Sequence, residues 1–168
     1  VPKLKVAKSI AAKFNFVGLN KDKASFVDPA QADQLVKIGD TVTEPEVTVA
    51  PGYQVIGWYK EANCTGSKFD FDAPVDGNNS ITLHARVDED RSKTYAYQVV
   101  FYKNGVQTGD PVPATVWQGA PTVTLASVKG LKTGDYTKYT FQEAKVGLDS
   151  YKQDTNIIGI QPNGSTVV

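Results

Sequence analysis

Chemistry in this chain has few reactive side chains to start from. His84 is the one histidine and Cys64 the one cysteine among 168 residues. Any Ser-His-Asp or Cys-His mechanism must therefore run through His84, since imidazole is the side chain that changes charge near neutral pH. His84 lies in Ile81-Thr82-Leu83-His84-Ala85-Arg86-Val87, where apolar and polar residues alternate. That period places it on the polar face of a strand beside Arg86, with no nucleophile-elbow pattern nearby. The expectation is an exposed strand residue and no catalysis. Cys64 sits in Ala62-Asn63-Cys64-Thr65-Gly66, a loop by composition. Its chemical reading is a reactive or intermolecular thiol. A single cysteine excludes an intramolecular disulfide and any zinc site built on thiolates.

The acidic residues Asp70, Asp72 and Asp76, the last followed by Gly77, resemble the start of a calcium loop. An EF-hand needs acids at positions one, three and five, glycine at six and glutamate at twelve. Counted from Asp70, the third acid falls at position seven and Ile81 occupies position twelve, so the pattern fails. Asp70 and Asp72 share a strand face and could hold only a surface ion. Two carboxylates without a groove and a set separation do not make a glycosidase. No phosphate loop or dinucleotide fingerprint occurs, and no cofactor is expected. Aromatics are the remaining resource. Tyr53, Trp58, Tyr59 and Trp117 could form a sugar platform, and Trp117 and Tyr59 are the candidate ligand-binding residues. Gly57, just before Trp58, would let the backbone approach closely there.

Net charge decides against one partner class. Eighteen basic and eighteen acidic residues cancel, whereas a nucleic-acid binder normally carries a basic stripe. Lys3, Lys5, Lys8 and Lys13 form a loose cluster without interleaved Arg or aromatics, which reads as a solvated leader over residues 1–12. No apolar run reaches the length of a membrane span, so no membrane insertion is expected of this segment. With no initiator Met and a strand-like ending at Thr166-Val167-Val168, the sequence reads as part of a longer chain.

The elements that must position these residues are mainly strands. Eight Tyr, seven Phe, fourteen Gly and nine Pro accompany plentiful Val and Thr, a mixture of pleat-filling side chains and turn punctuation. The run Asp88-Glu89-Asp90-Arg91-Ser92-Lys93 holds no apolar residue, and residues 89–93 read as a charged linker between modules at 13–88 and 94–168. In the first module, Phe14-Asn15-Phe16-Val17 opens as a strand. Asp28-Pro29 offers an N-cap and a first-turn proline, and Ala32, Leu35 and Ile38 recur every third residue before Gly39. This predicts a short helix over about 29–38. Thr41 to Val49 is β-rich but broken by Pro45; strands are then expected over Tyr53–Tyr59, around Phe69 and Phe71, and from Ile81 onward.

The second module predicts a strand over Tyr95–Tyr102 and a type I′ hairpin at Asn104-Gly105. Thr122–Leu125 suits a strand or a short helix. Tyr136–Phe141 reads as a strand, and Asn156–Ile160 is expected beneath a last strand, Ser165–Val168. Each half opens on an aromatic strand, passes a Val-x-x-Gly step (Val36 to Gly39, Val116 to Gly119) and closes on a β-branched strand. Two such modules signal a repeat array.

The ordered set Pro51-Gly52-Tyr53, Gly57-Trp58-Tyr59, Phe69-Asp70-Phe71-Asp72-Ala73-Pro74-Val75 and Ile81-Thr82-Leu83-His84-Ala85 resembles the Listeria–Bacteroides repeat, the internalin-type B-repeat. Departures are the predicted helix with its long loop and Val87, where an aromatic often closes the repeat. In the second half, Tyr97-Gln98-Val99-Val100-Phe101-Tyr102 and Gly159 to Val168 are similar to the two ends of mucin-binding-protein-type repeats. The resemblance implies an α+β, β-rich fold of two tandem, small β-grasp-like (ubiquitin-like) modules. It implies a non-catalytic stalk or adhesion segment of an extracellular bacterial cell-surface protein. Partners would be a host or matrix protein or glycan, alongside neighbouring repeats of the parent chain; the alternative is a dedicated mucin-glycan binder using exposed aromatics. Three Asn-x-Ser/Thr triplets, at Asn63, Asn78 and Asn163, then read as turns rather than glycosylation sites.

Overall fold

Strand β1 (Ser9–Val17) follows directly from alternation. Ile10, Ala12 and Phe14 share one parity and all are buried, while Ser9, Lys13 and Asn15 face solvent. The computed structural model describes residues 8–168, so Lys3 and Lys5 lie outside the described residues. Residues 9–12, expected as leader, are instead strand, because Ile10 and Ala12 extend the apolar parity of Phe14 back towards the N-terminus.

Two compact units divide between Asp90 and Arg91. Unit 1 continues with β2 (Ala24–Phe26), β3 (Asp33–Lys37), β4 (Val47–Val49), β5 (Tyr53–Val55) and β6 (Ile81–Glu89). Its main sheet has the order β3-β1-β6-β5. β1 runs antiparallel to β3 and parallel to β6, from Ala12↔Ile81 to Val17↔Arg86. A separate ladder joins β2 and β4. Leu83, Ala85 and Val87 of β6 are buried on the face shared with β1, as the alternation predicted. Glu89, expected in the linker, is the last residue of β6 and pairs with Tyr53.

The predicted helix over 29–38 is replaced by one 3-10 turn, Pro29–Ala32, followed by β3. The local signals do act. Asp28 accepts a bond from the Ala30 N–H at 3.0 Å and Pro29 occupies the first turn. Beyond Ala32 tertiary pairing wins: β3 adds to β1, buries Val36 and leaves Leu35 79% exposed. The three-residue spacing of Ala32, Leu35 and Ile38 is therefore not a core stripe. The outer edge of β3 is closed by side chains. Gln34 Nε2 donates to the Thr43 carbonyl (2.7 Å), its Oε1 accepts from Thr43 N–H (3.1 Å), and Gln31 Oε1 accepts from Glu46 N–H (3.0 Å). These amides stand in for a neighbouring strand. The expected strand over Tyr53–Tyr59 stops at Val55, because Gly57 adopts φ +118° and turns the chain. Phe69 and Phe71 lie in irregular chain, with the Phe69 N–H bonded to the Trp58 carbonyl at 2.8 Å.

Unit 2 holds β7 (Thr94–Lys103), β8 (Val106–Trp117), β9 (Thr122–Thr124), α1 (Leu125–Lys129), β10 (Ala144–Val146), β11 (Asp149–Tyr151) and β12 (Ile157–Gly159). The β7–β8 hairpin turns at Asn104 and Gly105 with φ of 48° and 81°, the double positive φ of a type I′ turn. Thr122–Leu125 takes both forms offered by the sequence: a strand to Thr124, whose hydroxyl accepts from the Ser127 N–H (3.2 Å) to cap the five-residue α1. Gln98 donates to the Thr166 carbonyl (3.0 Å) and accepts from the Val168 N–H (2.9 Å), while Val100 donates to the Val168 carbonyl (2.8 Å). The last residues thus run parallel to β7. β12 pairs with β9, and Ile158, Ile160 and Val168 meet Tyr97, Val99, Leu125 and Val128 in one core. Tyr136–Phe141 is not a strand. No ladder partner faces it, and Tyr139 N–H bonds back to the Tyr136 carbonyl in a turn (3.0 Å).

The architecture is β-rich, and α1 is the one α-helix among the described residues.

Candidate functional site

In unit 1 the aromatic motif closes on itself. Trp58 is 4% exposed and stands edge-on to Phe14, with ring centroids 5.0 Å apart and planes at 88°. Phe16 (5.6 Å) and Phe26 (6.0 Å) cover other parts of the indole, and Phe71 stacks on Phe14 at 6.3 Å. Such offset and edge-on pairs add roughly 0.5–1.5 kcal/mol each beyond burial. Gly57 is required beside the indole: its φ is positive, and an added Cβ would meet the Lys68 side chain at 3.0 Å. Tyr59 exchanges backbone bonds with His84 (2.8 and 2.7 Å), which fixes Tyr59 as half-buried against β6.

His84 is also half-buried rather than exposed, and its Nδ1 is buried without a hydrogen-bond partner. Cys64, expected in an open loop, is buried at 8% exposure with φ +56°. Its Sγ lies 3.6 Å from the His84 carbonyl oxygen. The sequence could not bring Cys64 and His84 together, since only the return of the 60–66 loop over β6 does so. Burial argues against the reactive-thiol reading, because a nucleophilic thiol needs access. Arg86 forms a forked pair with Asp88 (2.9 and 3.2 Å). That hydrogen bond, with the carboxylate's charge, raises the guanidinium further above its already high value.

Asp70 Oδ1 accepts from the Asp72 N–H at 2.9 Å, an Asx turn rather than a pair of ligands. Among the described residues no group of three His, Cys, Asp or Glu could hold a metal ion. Asn63 and Asn163 cap their own turns through Thr65 and Ser165.

In unit 2, Trp117 is half-buried, and the Arg91 guanidinium lies 3.9 Å from its ring centroid. The site the sequence did not single out is an open cleft of about 940 Å³ beneath β7. Tyr136, Tyr139 and Phe141, the segment misread as a strand, supply its rings. Lys103 Nζ lies 4.4 Å from the Tyr136 centroid and 4.9 Å from that of Tyr139, and Lys129 lies 4.3 Å from Phe141. Five lysines (103, 129, 132, 138 and 145) line it against one acid, Glu143. The Ser150 hydroxyl, with Lys145 and Lys152 nearby, holds Glu143 below the usual carboxylate range. The cleft is thus basic and aromatic at neutral pH, suited to holding an anionic group against a flat apolar face. The available signal was the Lys/Tyr/Phe density of residues 129–145.

Residues 16–86 match the family model of the Listeria-Bacteroides repeat domain. The match falls within unit 1. The matched span holds the whole Trp58 cluster except Phe14, so the family motif and the aromatic core are largely the same residues. Repeats of this family are generally non-catalytic and occur in extracellular surface proteins. No solved structure matches the chain. No helix among the described residues is long and apolar enough to cross a membrane.

Proposed function

We propose that the chain is a tandem pair of β-grasp-like modules from a bacterial cell-surface protein, serving as stalk or spacer and as an adhesive, protein-interacting segment. One observation supports this most: the repeat's motif residues, Trp58 above all, are spent on packing a core rather than on lining a reactive cleft. The mixed sheet of unit 1, with its first and last long strands parallel and adjacent, is the arrangement expected of a β-grasp-like fold. The crossover from β3 to β5, where such a fold carries its helix, holds only the short strand β4. Unit 2, read as a mucin-binding-type module, keeps a short helix whose Leu125 and Val128 enter the core.

A second reading is favoured by the lysine–aromatic cleft of unit 2: carbohydrate binding, with Tyr136, Tyr139 and Phe141 as the aromatic contacts. The test is a glycan and matrix-protein array probed with the 168-residue chain. Capture of a matrix protein with silent glycans supports adhesion through protein contacts. Selective glycan capture, lost in Tyr139→Ala and Lys138→Ala, supports the second reading. Silence on both panels leaves spacing as the role.

A further inference from the structure

In both units the strand nearest the N-terminus and the chain nearest the C-terminus lie side by side and parallel. In unit 1, β1 and β6 share a register of six residue pairs, from Ala12↔Ile81 to Val17↔Arg86. In unit 2, β7 holds residues 166–168 through the three backbone bonds at Gln98 and Val100. The direction of pairing decides how such a ladder responds to tension. When terminal strands are antiparallel, the pulled ends leave from the same end of the ladder and its bonds break one by one. When they are parallel, the pulled ends leave from opposite ends, and every bond between the strands is loaded in shear at once. The bonds of a parallel ladder are evenly spaced, so the load divides among them.

We infer that each unit is a mechanical clamp, and that bearing tension along the chain is part of what this segment does. The inference deepens the stalk reading and rests on it for the source of tension. Side chains reinforce the geometry. Sliding β1 past β6 would drag Ile10, Ala12 and Phe14 across Leu83, Ala85 and Val87, all buried, so the shear barrier includes exposing core as well as breaking backbone bonds. In unit 2 the clamp is shorter, with the Val168 side chain inserted in the core as its anchor. Val100 is the useful position there. It falls where the β7–β8 register shifts, between Val99 and Phe101, so its N–H serves Val168 rather than β8.

Forced unfolding reports the barrier directly. The 168-residue chain is stretched between handles at its two ends, and the force of each unfolding event is recorded. A second attachment, through Lys8→Cys and Asn79→Cys in a Cys64→Ala background, pulls the same β1–β6 ladder from one end and peels it. Unit 1 is expected to unfold at a severalfold higher force in the end-to-end geometry than in the peeling geometry at equal loading rate. Val100→Pro is expected to lower the unit 2 force by half or more while its urea midpoint falls by a smaller fraction. Equal forces in the two geometries would overturn the clamp in unit 1. A unit 2 force that fell only in proportion to stability would overturn it there. Low forces with array results unchanged would remove the load-bearing role and leave the spacer reading standing.

Discussion

Replacing Trp58 by Ala removes the group on which the unit 1 core converges. The indole is 4% exposed, and its ring centroid lies 5.0, 5.6 and 6.0 Å from those of Phe14, Phe16 and Phe26.

 Phe26 is the stacked neighbour of the three, its plane 15° from that of the indole. Truncating a buried Trp costs about 3–5 kcal/mol through lost transfer energy and the cavity left behind. The three ring contacts place Trp58→Ala at the upper end of that range, since each pair carries about 0.5–1.5 kcal/mol of its own. A domain of this size is stable by about 5–15 kcal/mol, so the variant loses a large share of its margin. With a urea slope of about 2 kcal/mol/M, the midpoint falls by about 2 M. The assay is equilibrium urea unfolding of the whole chain, followed through the amide resonances of Phe14 and Leu83, which report unit 1 alone. Trp58→Phe keeps one ring in place and should lose less. A loss below about 1 kcal/mol in Trp58→Ala would refute the reasoning, because a surface tryptophan shows that size of effect.

Further outcomes follow from other sites. Gly119→Ala should destabilise unit 2 by about 1–3 kcal/mol and shift the Trp117 fluorescence, because the new Cβ would overlap the Trp117 indole ring; an unchanged emission maximum contradicts this. Burial raises the Tyr97 phenol above its ordinary 10.0. Above that value the unfolded chain releases the proton while the folded one retains it, so stability falls as pH rises towards the raised value. Tyr97→Phe should flatten the alkaline loss seen in a pH series of urea midpoints, and an equally steep loss would show that Tyr97 is not its source. Cys64, buried with its Sγ against the His84 carbonyl, should react with a thiol reagent at least about tenfold more slowly in the native chain than in urea, since reaction requires opening; comparable rates would place the thiol at the surface.

The sequence carries period-two patterns well where a strand is long and one-sided. β6 and β7 were legible for that reason, as was the Asn104-Gly105 turn, whose residue types tolerate positive φ. The errors share a cause. Ala32, Leu35 and Ile38 fit a helix locally, but the choice between helix and strand was made by β1, which lies some twenty residues away in sequence and offers an open edge. Ile10 and Ala12 were hidden by the lysines around them, although their parity with Phe14 was present all along. Tyr136–Phe141 has strand-like composition and no strand to pair with, so its rings line a cleft instead. That cleft was illegible because its walls come from β7, α1 and the 136–145 segment, which only folding brings together. The meeting of Cys64 with His84 is likewise a product of the loop's return over β6. The Trp58 core, by contrast, was readable through Gly57-Trp58-Tyr59 and its ordered neighbours, whose spacing matches the repeat.

The reading proposed above makes this chain two self-standing β-rich units rather than a single domain built around a reactive site. Its most direct test is an overlay of amide spectra: residues 8–90 and residues 91–168, each expressed alone, against the 168-residue chain. The account predicts that each fragment is folded and that its core amides, such as those of Leu83 and Ile158, keep the positions they have in the whole chain. A fragment that is unfolded, or whose core amides such as Leu83 or Ile158 move throughout, would contradict it.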